Sequence, residues 1–538
     1  MAERIPVLIV GAGPVGLALA IELGARSIPC QVLERNDRVG YAPRAKTTHV
    51  RTRELLRRWG LAAELAKASP LGIDYPSDIA FVTRLAGHRL AWIENAFNCA
   101  PSPDPRYSEH AQWVPQYVLE EVLRRHAATL PGVDIRFNCE FLGCRQDGAG
   151  LRSEARDLTT GETVVIDSSY LVGADGARSL VRDAIGAKME GRYGLSRNYN
   201  VVFRAPGLAQ AHGHGRAIMY WQINADAPSL IGPMDSDDRW FFMPTAVPEG
   251  FSLSADDAAA MIRRATGLDL PYEILSTDEW TASEFIADTY RDRGVFLAGD
   301  ACHLHPPFGG YGMNMGVADA VDLGWKLAAN IQGWGGERLL DSYEAERRPV
   351  HRRVIDEAVA NHAVLGGQLW RQGLEDEGPQ GESARAEAGA AIQAAKRREF
   401  KSLGVVLGYC YANSPVIAGE PDTPVMGDPG HYHPSAAPGC IAPHLWLGDD
   451  LSLYDRFGEG FTLLATRDGA EGDMAQAKAD AARLDIPLTL LTPRDPRLHP
   501  LYQAALVLIR PDQHVAWRGD TWPGAATLAR AAGLEVEA

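Results

Sequence analysis

The 538-residue chain is short of positive charge: 53 Lys and Arg stand against 69 Asp and Glu, a net charge of −16. Nucleic acids and anionic membrane surfaces both select a basic face, so neither is expected as a partner. Cysteine is scarce as well. None of the seven cysteines forms a Cys-x-x-Cys pair, which argues against structural zinc and dithiol chemistry and for a reducing compartment. A clean, long apolar run is missing too. The nearest thing, Ile5 to Ile21, is interrupted by Gly11, Gly13, Pro14 and Gly16, lacks a basic flank, and meets Glu22 at once. That pattern excludes a spanning helix or a secretory signal, and the expected location is the cytoplasm. What remains is an ordinary globular composition, 46% hydrophobic, in a chain long enough for more than one domain.

The broken apolar run carries the first motif. Val7 to Val10 reads as a strand, Gly11-Ala-Gly-Pro-Val-Gly16 as a turn, Leu17 to Gly24 as a helix, and Pro29 to Leu33 as a second strand ending at Glu34. This is a dinucleotide fingerprint in its proper context. Gly11 permits the tight turn, Gly13 lets backbone approach a pyrophosphate, and Gly16 lets helix and strand pack closely. The helix start at Pro14 and Val15 supplies free N–H groups and a positive dipole. Glu34, followed by Arg35, is placed to accept hydrogen bonds from a ribose. It would repel a 2′-phosphate, so FAD or NAD is favoured over NADP as the bound nucleotide.

Further along, Pro43 to Arg51 is a basic loop opening a helix. Arg44 is a candidate neighbour of the cofactor, and Lys46 and His49 are candidates for the pocket; the alternative is a solvated basic face. Gln116 falls in the first turn of another helix. Tyr170 to Arg182 runs strand, Asp175-Gly176 turn, helix, with Arg178 and Arg182 beside the turn. An ordinary turn would suffice, but the arginines favour a cofactor role. Gly299-Asp-Ala-Cys-His-Leu-His-Pro-Pro-Phe-Gly-Gly-Tyr-Gly-Met-Asn314 then follows a short apolar strand and precedes a helix. A strand, a glycine-rich loop and a helix start form a place for a ligand.

The expected fold is α/β: a Rossmann-like FAD-binding domain with an inserted antiparallel-sheet substrate domain and a C-terminal thioredoxin-like domain. The expected limits are 1–190 and 288–370 for the two parts of the first, 191–287 for the sheet, 371–437 for a helical and linker region, and 438–538 for the last. Residues 70–107 read as irregular, with short strand-like pieces such as Asp78 to Thr83, and Gln372 to Ser383 reads as a polar break before a helix from about Arg385 to Ser402. In the sheet, Tyr220, Gln222 and Trp240 are candidates for a substrate wall, although periodicity alone does not separate pocket aromatics from core. In the last unit Cys440 stands alone.

Three motifs in order, Gly11-x-Gly-x-x-Gly16 with Glu34, Gly173-Ala-Asp-Gly176, and Gly299-Asp300 followed by His-Pro-Pro-x-Gly-Gly-x-Gly-Met-Asn314, give the chain its likeness. It resembles the single-component FAD-dependent aromatic hydroxylases, the class A flavoprotein monooxygenases of the p-hydroxybenzoate hydroxylase and phenol hydroxylase type. The resemblance implies FAD as cofactor, NADH or NADPH as transient electron donor, and O2 and a small phenolic or polycyclic aromatic molecule as substrates. Oxygen would be delivered through a flavin C4a-hydroperoxide. It implies that Asp300 binds the ribityl chain. It also places Gly310, Gly312, Met313 and Asn314 at the flavin, the last two with N–H groups toward its N1/O2 edge. Arg44 and Gln116 match FAD contacts, and Asp175 matches an acid serving FAD and perhaps the pyridine nucleotide. Pro306 would lie by the ring where oxygen reacts. His303 and His305 are base candidates by position, or else structural histidines beneath the loop; His305 and Pro306 are the named catalytic candidates. Lys46 stands where phenol hydroxylase has an acid, whose role is therefore not carried over. No metal is expected, and a homodimer is left open because family members often dimerise. Two other readings stay open: Baeyer–Villiger insertion or epoxidation on the same scaffold, and a non-catalytic FAD-binding protein. The lack of a second G-x-G-x-x-G disfavours the classes built on two such folds.

Overall fold

Short apolar runs with no polar alternation must be covered on both faces, and they pair in parallel here. The computed structural model describes residues 4–37, 45–147, 150–245, 247, 252–364, 369–417 and 426–535. Strands Val133–Arg136, Cys30–Leu33, Ile5–Val10, Thr163–Gly173 and Val295–Leu297 lie side by side in that order, all parallel. Arg291–Asp292 closes one edge antiparallel. Cys139–Asp147 and Gly150–Asp157 form an antiparallel ribbon on the first half of Thr163–Gly173. The helix Pro14–Ala25 follows the first strand, is almost wholly buried, and packs against helices Gln116–Ala127 and Tyr311–Ile331.

The second sheet has eight strands in the order His303–Leu304, Glu273–Ala287, Met189–Arg204, Arg239–Pro244, Ser229–Pro233, Met219–Gln222, Ile79–Val82 and Arg89–Ile93. Two of these come from residues 70–107, read from sequence as irregular with a strand-like piece at Asp78 to Thr83, so the sheet is not contained in 191–287. Met219–Gln222 pairs with Ile79–Val82 in parallel, whereas the sequence reading expected an antiparallel insertion throughout. The period of two sorts its side chains. Phe81, Trp221, Leu230 and Phe241 pack with Trp113, Phe308 and Tyr311 on the face toward the first sheet's helices. Ala80, Tyr220, Ile231, Trp240 and Phe242 pack on the other face with Ala258, Met261, Ile262 and Ala265 of helix Ala255–Thr266. Ser254 and Asp257 form a capping box at that helix start, and Gly267 ends it in the left-handed region,.

Two long helices follow, Glu337–His362 and Gly378–Phe400. The second begins earlier than its pattern suggests, because Gly378-Pro379 sits at its start, where proline is favoured,. It crosses the outer strand of the second sheet, with Gln393 donating to the Trp92 carbonyl at 2.7 Å.

The C-terminal unit is built on a parallel pair, Phe461–Ala465 with Leu488–Leu491, extended antiparallel by Leu506–Ile509 and Val515–Gly519. Its hairpin tip is docked by buried ions. Arg510 donates to Glu346 at 2.6 Å, Asp322 at 2.9 Å and Asp512 at 2.6 Å, while Lys326 donates to Asp322 and Glu346. Burial opposes the charge of Glu346, yet Arg510 and Lys326 hold its carboxyl down to about 2. Arg51 grips the Asp512 carbonyl and Gln513, and Arg58 the Pro511 carbonyl. Cys440 is not alone: it is disulfide-bonded to Cys410, its partner across an isolated β-bridge. The two are 30 residues apart, so local spacing gave no sign of the pair. No described helix is long and apolar enough to cross a membrane.

Candidate active site

The N-terminal glycines do what their spacing requires. Gly11 has φ +106°, and a Cβ there would collide with the Ala174 carbonyl; a Cβ on Gly16 would collide with the Gly11 carbonyl. Gly13 differs. It has an extended backbone before the helix, and a Cβ there would meet nothing within 4 Å. Gly13 is therefore not needed by the fold. It leaves open a floor at a helix N-terminus, which is what a pyrophosphate requires. Glu34 lies at the edge of this floor and accepts from the Ala12 N–H at 2.9 Å and the Asn36 N–H at 3.0 Å. Arg35 is exposed beside it.

Val15 joins this loop to the distant one. A Cβ on Gly299 would press on Val15 at 2.8 Å, and a Cβ on Gly316 would press on it too at 2.5 Å. The helix Pro14–Ala25, the Gly299 turn and the start of helix Tyr311–Ile331 thus meet around one valine. Asp300 is exposed on the 3-10 turn Gly299–Ala301. Asp175 is used locally: it accepts from Ser179 Oγ at 2.5 Å and Val181 N–H at 3.2 Å, and burial pushes its carboxyl up. Arg182 donates to the Ala301 and Ala177 carbonyls and so links the two turns, while Arg178 is exposed.

Behind the Gly299 turn lies a buried hub that the sequence reading did not name. Asp319 accepts from the Gly299 N–H at 3.0 Å, Arg347 Nε at 2.7 Å and His303 Nε2 at 2.8 Å, while His351 Nε2 lies 2.9 Å from it and accepts from Arg347 Nη2 at 3.2 Å. Burial opposes its charge, but His351, Arg347 and His303 hold the carboxyl well below the usual range. With His303 donating from Nε2, its Nδ1 is left to accept from His305 Nδ1, 3.3 Å away,. His305 Nε2 is then a bare lone pair, buried and with no hydrogen-bond partner among the described residues. Burial, with His303 and His351 next, drives the His305 pKa well down, so the ring is a neutral acceptor. Cys302, His303 and Asp319 offer ligand atoms within 4.8 Å of one another. They do not make a metal site: the Arg347 guanidinium already occupies Asp319, and burial keeps Cys302 a thiol donating to the Gly299 carbonyl.

The helix start is tied to residues 45–52 through one side chain. Asn314 Oδ1 accepts from His49 N–H at 2.8 Å and Thr52 Oγ1 at 2.7 Å, and its Nδ2 donates to the Thr47 and Gly310 carbonyls. Its side chain is thus a clamp, leaving its backbone for any ligand role. Met313 beside it packs against the first sheet's core, and a Cβ on Gly312 would lie 3.9 Å from His305 Nδ1. His49 Nε2 donates to the Gly309 carbonyl at 3.0 Å, and burial lowers its pKa to about 4. Gln116 reads Ala45 from both sides, its Oε1 accepting from Ala45 N–H and its own N–H donating to the Ala45 carbonyl. Arg44 lies outside the described residues. Pro306 is buried and Pro307 exposed.

The expected substrate wall needs correction. Tyr220 and Trp240 sit on the sheet face under helix Ala255–Thr266, where the Tyr220 hydroxyl donates to the Gly215 carbonyl at 2.5 Å. Gln222, fully buried, bonds Leu85 N–H and Ser229 Oγ. The alternation of the strand places their neighbours toward the helix start instead. Phe241 lies 6.4 Å from Trp113, and Trp221 lies 5.7 Å from Phe81 and 6.2 Å from Phe308. Two lysines cover this face: Lys46 Nζ is 4.3 Å from the Phe241 ring centroid and Lys396 Nζ 4.1 Å from that of Trp221. Lys396 also pairs with Glu399 at 2.8 Å. Burial alone lowers the Lys46 ammonium to about 8.

An open glycine floor at a helix start, an acid at its rim, and a second loop and helix start seated on the same valine fit an extended dinucleotide. Glu34 lies at one end of this path and Gly310–Asn314 at the other, by an aromatic face. Comparison with known proteins agrees. Residues 4–358 match the family model described as FAD binding domain, and residues 435–534 match that of the aromatic-ring hydroxylase C-terminal region. The chain is 34% identical to the tetracenomycin B2 monooxygenase-dioxygenase of Streptomyces olivaceus, over 96% of each chain. Among solved structures it is similar to the rebeccamycin biosynthetic enzyme RebC with reduced flavin (34% identity, TM-score 0.90, 99% of each chain). It is also similar to an aklavinone-11 hydroxylase in complex with FAD and aklavinone (29% identity, TM-score 0.84, 99% of this chain and 100% of that one).

Proposed function

The chain belongs to the FAD-dependent aromatic-ring hydroxylases and is an FAD-dependent monooxygenase; from that premise we propose that it hydroxylates a phenolic or polycyclic aromatic ring, using NADH or NADPH and O2. The observation that carries the reading is the meeting of the Gly13 floor, the Gly299–Asp300 turn and the Tyr311 helix start around Val15, beside a sheet face lined by Trp221 and Phe241.

In this reading the Gly11–Gly16 loop and the first turn of helix Pro14–Ala25 hold the pyrophosphate of FAD. Glu34 takes the adenosine ribose and Asp300 the ribityl chain; a charge-assisted hydrogen bond of that kind contributes roughly 1.5–3 kcal/mol. Arg44, Gln116 and Asp175 complete the cradle, with Gly310 to Asn314 at the flavin ring. The bound flavin supplies the electron transfer and oxygen activation that no side chain can.

The chain's own residues supply the rest. The N–H groups at the start of helix Tyr311–Ile331 favour negative charge on the ligand edge they face. Trp221, Phe241 and Trp113 hold the substrate ring and keep water from the reacting atoms. His305, with Nε2 left as a lone pair by the chain through His303 to Asp319, accepts the phenolic proton as the ring becomes nucleophilic. Pro306 sets the backbone beside it. We read the last unit as thioredoxin-like, carrying no redox function, and the chain as divided near the limits given by its motifs except where the second sheet draws strands from residues 79–93.

The test is direct. Purified protein should carry FAD, and a phenol that fits should accelerate NADH or NADPH oxidation and appear as its hydroxylated product by mass spectrometry. Oxidation with no hydroxylated product from any phenolic or polycyclic ring would reject the reading.

A further inference from the structure

We propose that the substrate presents an anionic oxygen, as an aromatic carboxylate or as the phenolate left once the phenolic proton has gone to His305, and that Lys46 receives it over the face of Phe241. This deepens the hydroxylase reading and rests on it.

The position of Lys46 is set by backbone. Its carbonyl accepts from Val114 N–H at 2.8 Å. The next residue, Thr47, lies against Gly310, and its carbonyl is held by Asn314. Lys46 is therefore anchored between the helix start assigned to the flavin and the aromatic face assigned to the substrate, with Nζ 4.3 Å from the Phe241 centroid.

The chemistry of its surroundings is incomplete without a ligand. The fully buried cations rest on carboxylates: Lys326 on Asp322 and Glu346, Lys396 on Glu399, Arg347 on Asp319, Arg510 on Glu346 and Asp322. Lys46 is half-buried. Lys46 has no carboxylate or hydrogen-bond acceptor among the described residues. The stretch 38–44 contributes two arginines and no acid to the sequence. An aromatic face attracts an ammonium, but it supplies neither a counter-charge nor the hydration that half-burial takes away. Burial is the sole cause of the lowered Lys46 pKa, as expected where no opposing charge stands nearby,. A bound oxyanion restores the missing partner, while a neutral ring leaves it missing. In a protein of net charge −16, such a spot also selects anions locally against the overall field.

The experiment uses the FAD-loaded holoenzyme and reads ligand binding from the flavin absorbance. The probes are two matched pairs: naphthoate with naphthamide, and nitrophenolate with its methyl ether. The carboxylate pair and the phenolate pair distinguish the two sources of the anion. At least one anion should bind about tenfold or more tightly than its neutral partner in the natural protein and in Lys46→Arg. That preference should vanish in Lys46→Met of equal FAD content. The inference is overturned if neither anion is preferred, if neither binds, or if the preference survives in Lys46→Met. A yellow enzyme that hydroxylates neutral rings with no anion preference sinks this inference and leaves the hydroxylase reading standing; protein without FAD sinks both.

Discussion

At the scale of single residues, the glycines of the first loop separate fold from function. A Cβ at Gly11 or Gly16 collides with backbone, whereas one at Gly13 meets nothing. Gly13→Ala is expected to leave thermal stability within about 0.5 kcal/mol of the natural protein and to lower FAD affinity. Gly11→Ala should cost folded protein outright, because a substituted residue at φ +106° is strained as well as crowded. Equal FAD retention in Gly13→Ala, measured by flavin released on denaturation, would deny the floor its role. His305 is tested by His305→Gln. The variant should keep FAD but lose hydroxylation by roughly 10²–10⁴ while still oxidising NADH or NADPH; unchanged product formation would remove His305 from the chemistry. The sequence showed that aromatic residues would line the second sheet. It could not show which: Tyr220 and Trp221 are adjacent, and a shift of one residue moves a side chain to the opposite face. The Asp319 hub was hidden for another reason. Its members come from the loop at 303, the helix at 319 and the helix at 347–351, and no local spacing links them.

At the scale of elements, the C-terminal unit is the main departure from the sequence reading. Its strands were legible as apolar runs, and the limits 438–538 set it apart as a domain of its own. The buried contacts say otherwise. Arg510 enters the ion cluster of Asp322, Lys326 and Glu346, and all of these lie on or against the helices that follow the site. Removing one partner of such a cluster leaves uncompensated buried charge, typically about 3–5 kcal/mol. Arg510→Met is therefore expected to unfold at lower denaturant by about that amount, and removal of residues 438–538 to give insoluble protein. A soluble, FAD-loaded 1–437 fragment would show the docking to be dispensable. Ile79–Val82 was legible as a strand-like piece, but not its place in the second sheet, because its partner Met219–Gln222 lies more than a hundred residues away; Arg89–Ile93, which among the described residues pairs only with Ile79–Val82, went unread because it is short and opens on a charged residue. Helix Gly378–Phe400 was started too late because a Gly-Pro start looks like a break until it is placed at a helix N-terminus.

At the scale of the whole molecule, several histidines are buried neutral. The ordinary value is 6.5, and burial lowers His49, His444 and His514 to about 4 and His351 to about 3. Between those values the unfolded chain binds protons that the folded chain does not, so stability is lost as pH falls from 6.5 toward 4. Each such histidine contributes a slope of ~1.4 kcal/mol per pH unit. Glu346 acts at lower pH: its contribution is present above its ordinary 4.5 and is lost as pH falls toward 2. Thermal melts should therefore show Tm falling steeply between pH 6.5 and pH 4, before the carboxylates titrate; a flat Tm across that window would contradict the burial of these rings. The order of the nucleotide-binding strands and the three motif loops was legible because each loop follows a strand and opens a helix or turn. Their convergence on Val15 was not, because it depends on the sheet order that brings residue 173 beside residue 10 and residue 297 beside residue 173.

The central claim is that this assembly transfers oxygen from O2 to an aromatic ring. Its most direct test is turnover of the FAD-loaded protein with NADH or NADPH under isotopically labelled O2, with the aromatic product analysed by mass spectrometry. The account predicts one labelled oxygen atom on the product ring and none when only the water is labelled. Label arriving from water, or reduced nicotinamide consumed with all the oxygen recovered as peroxide for every aromatic ring offered, would contradict it.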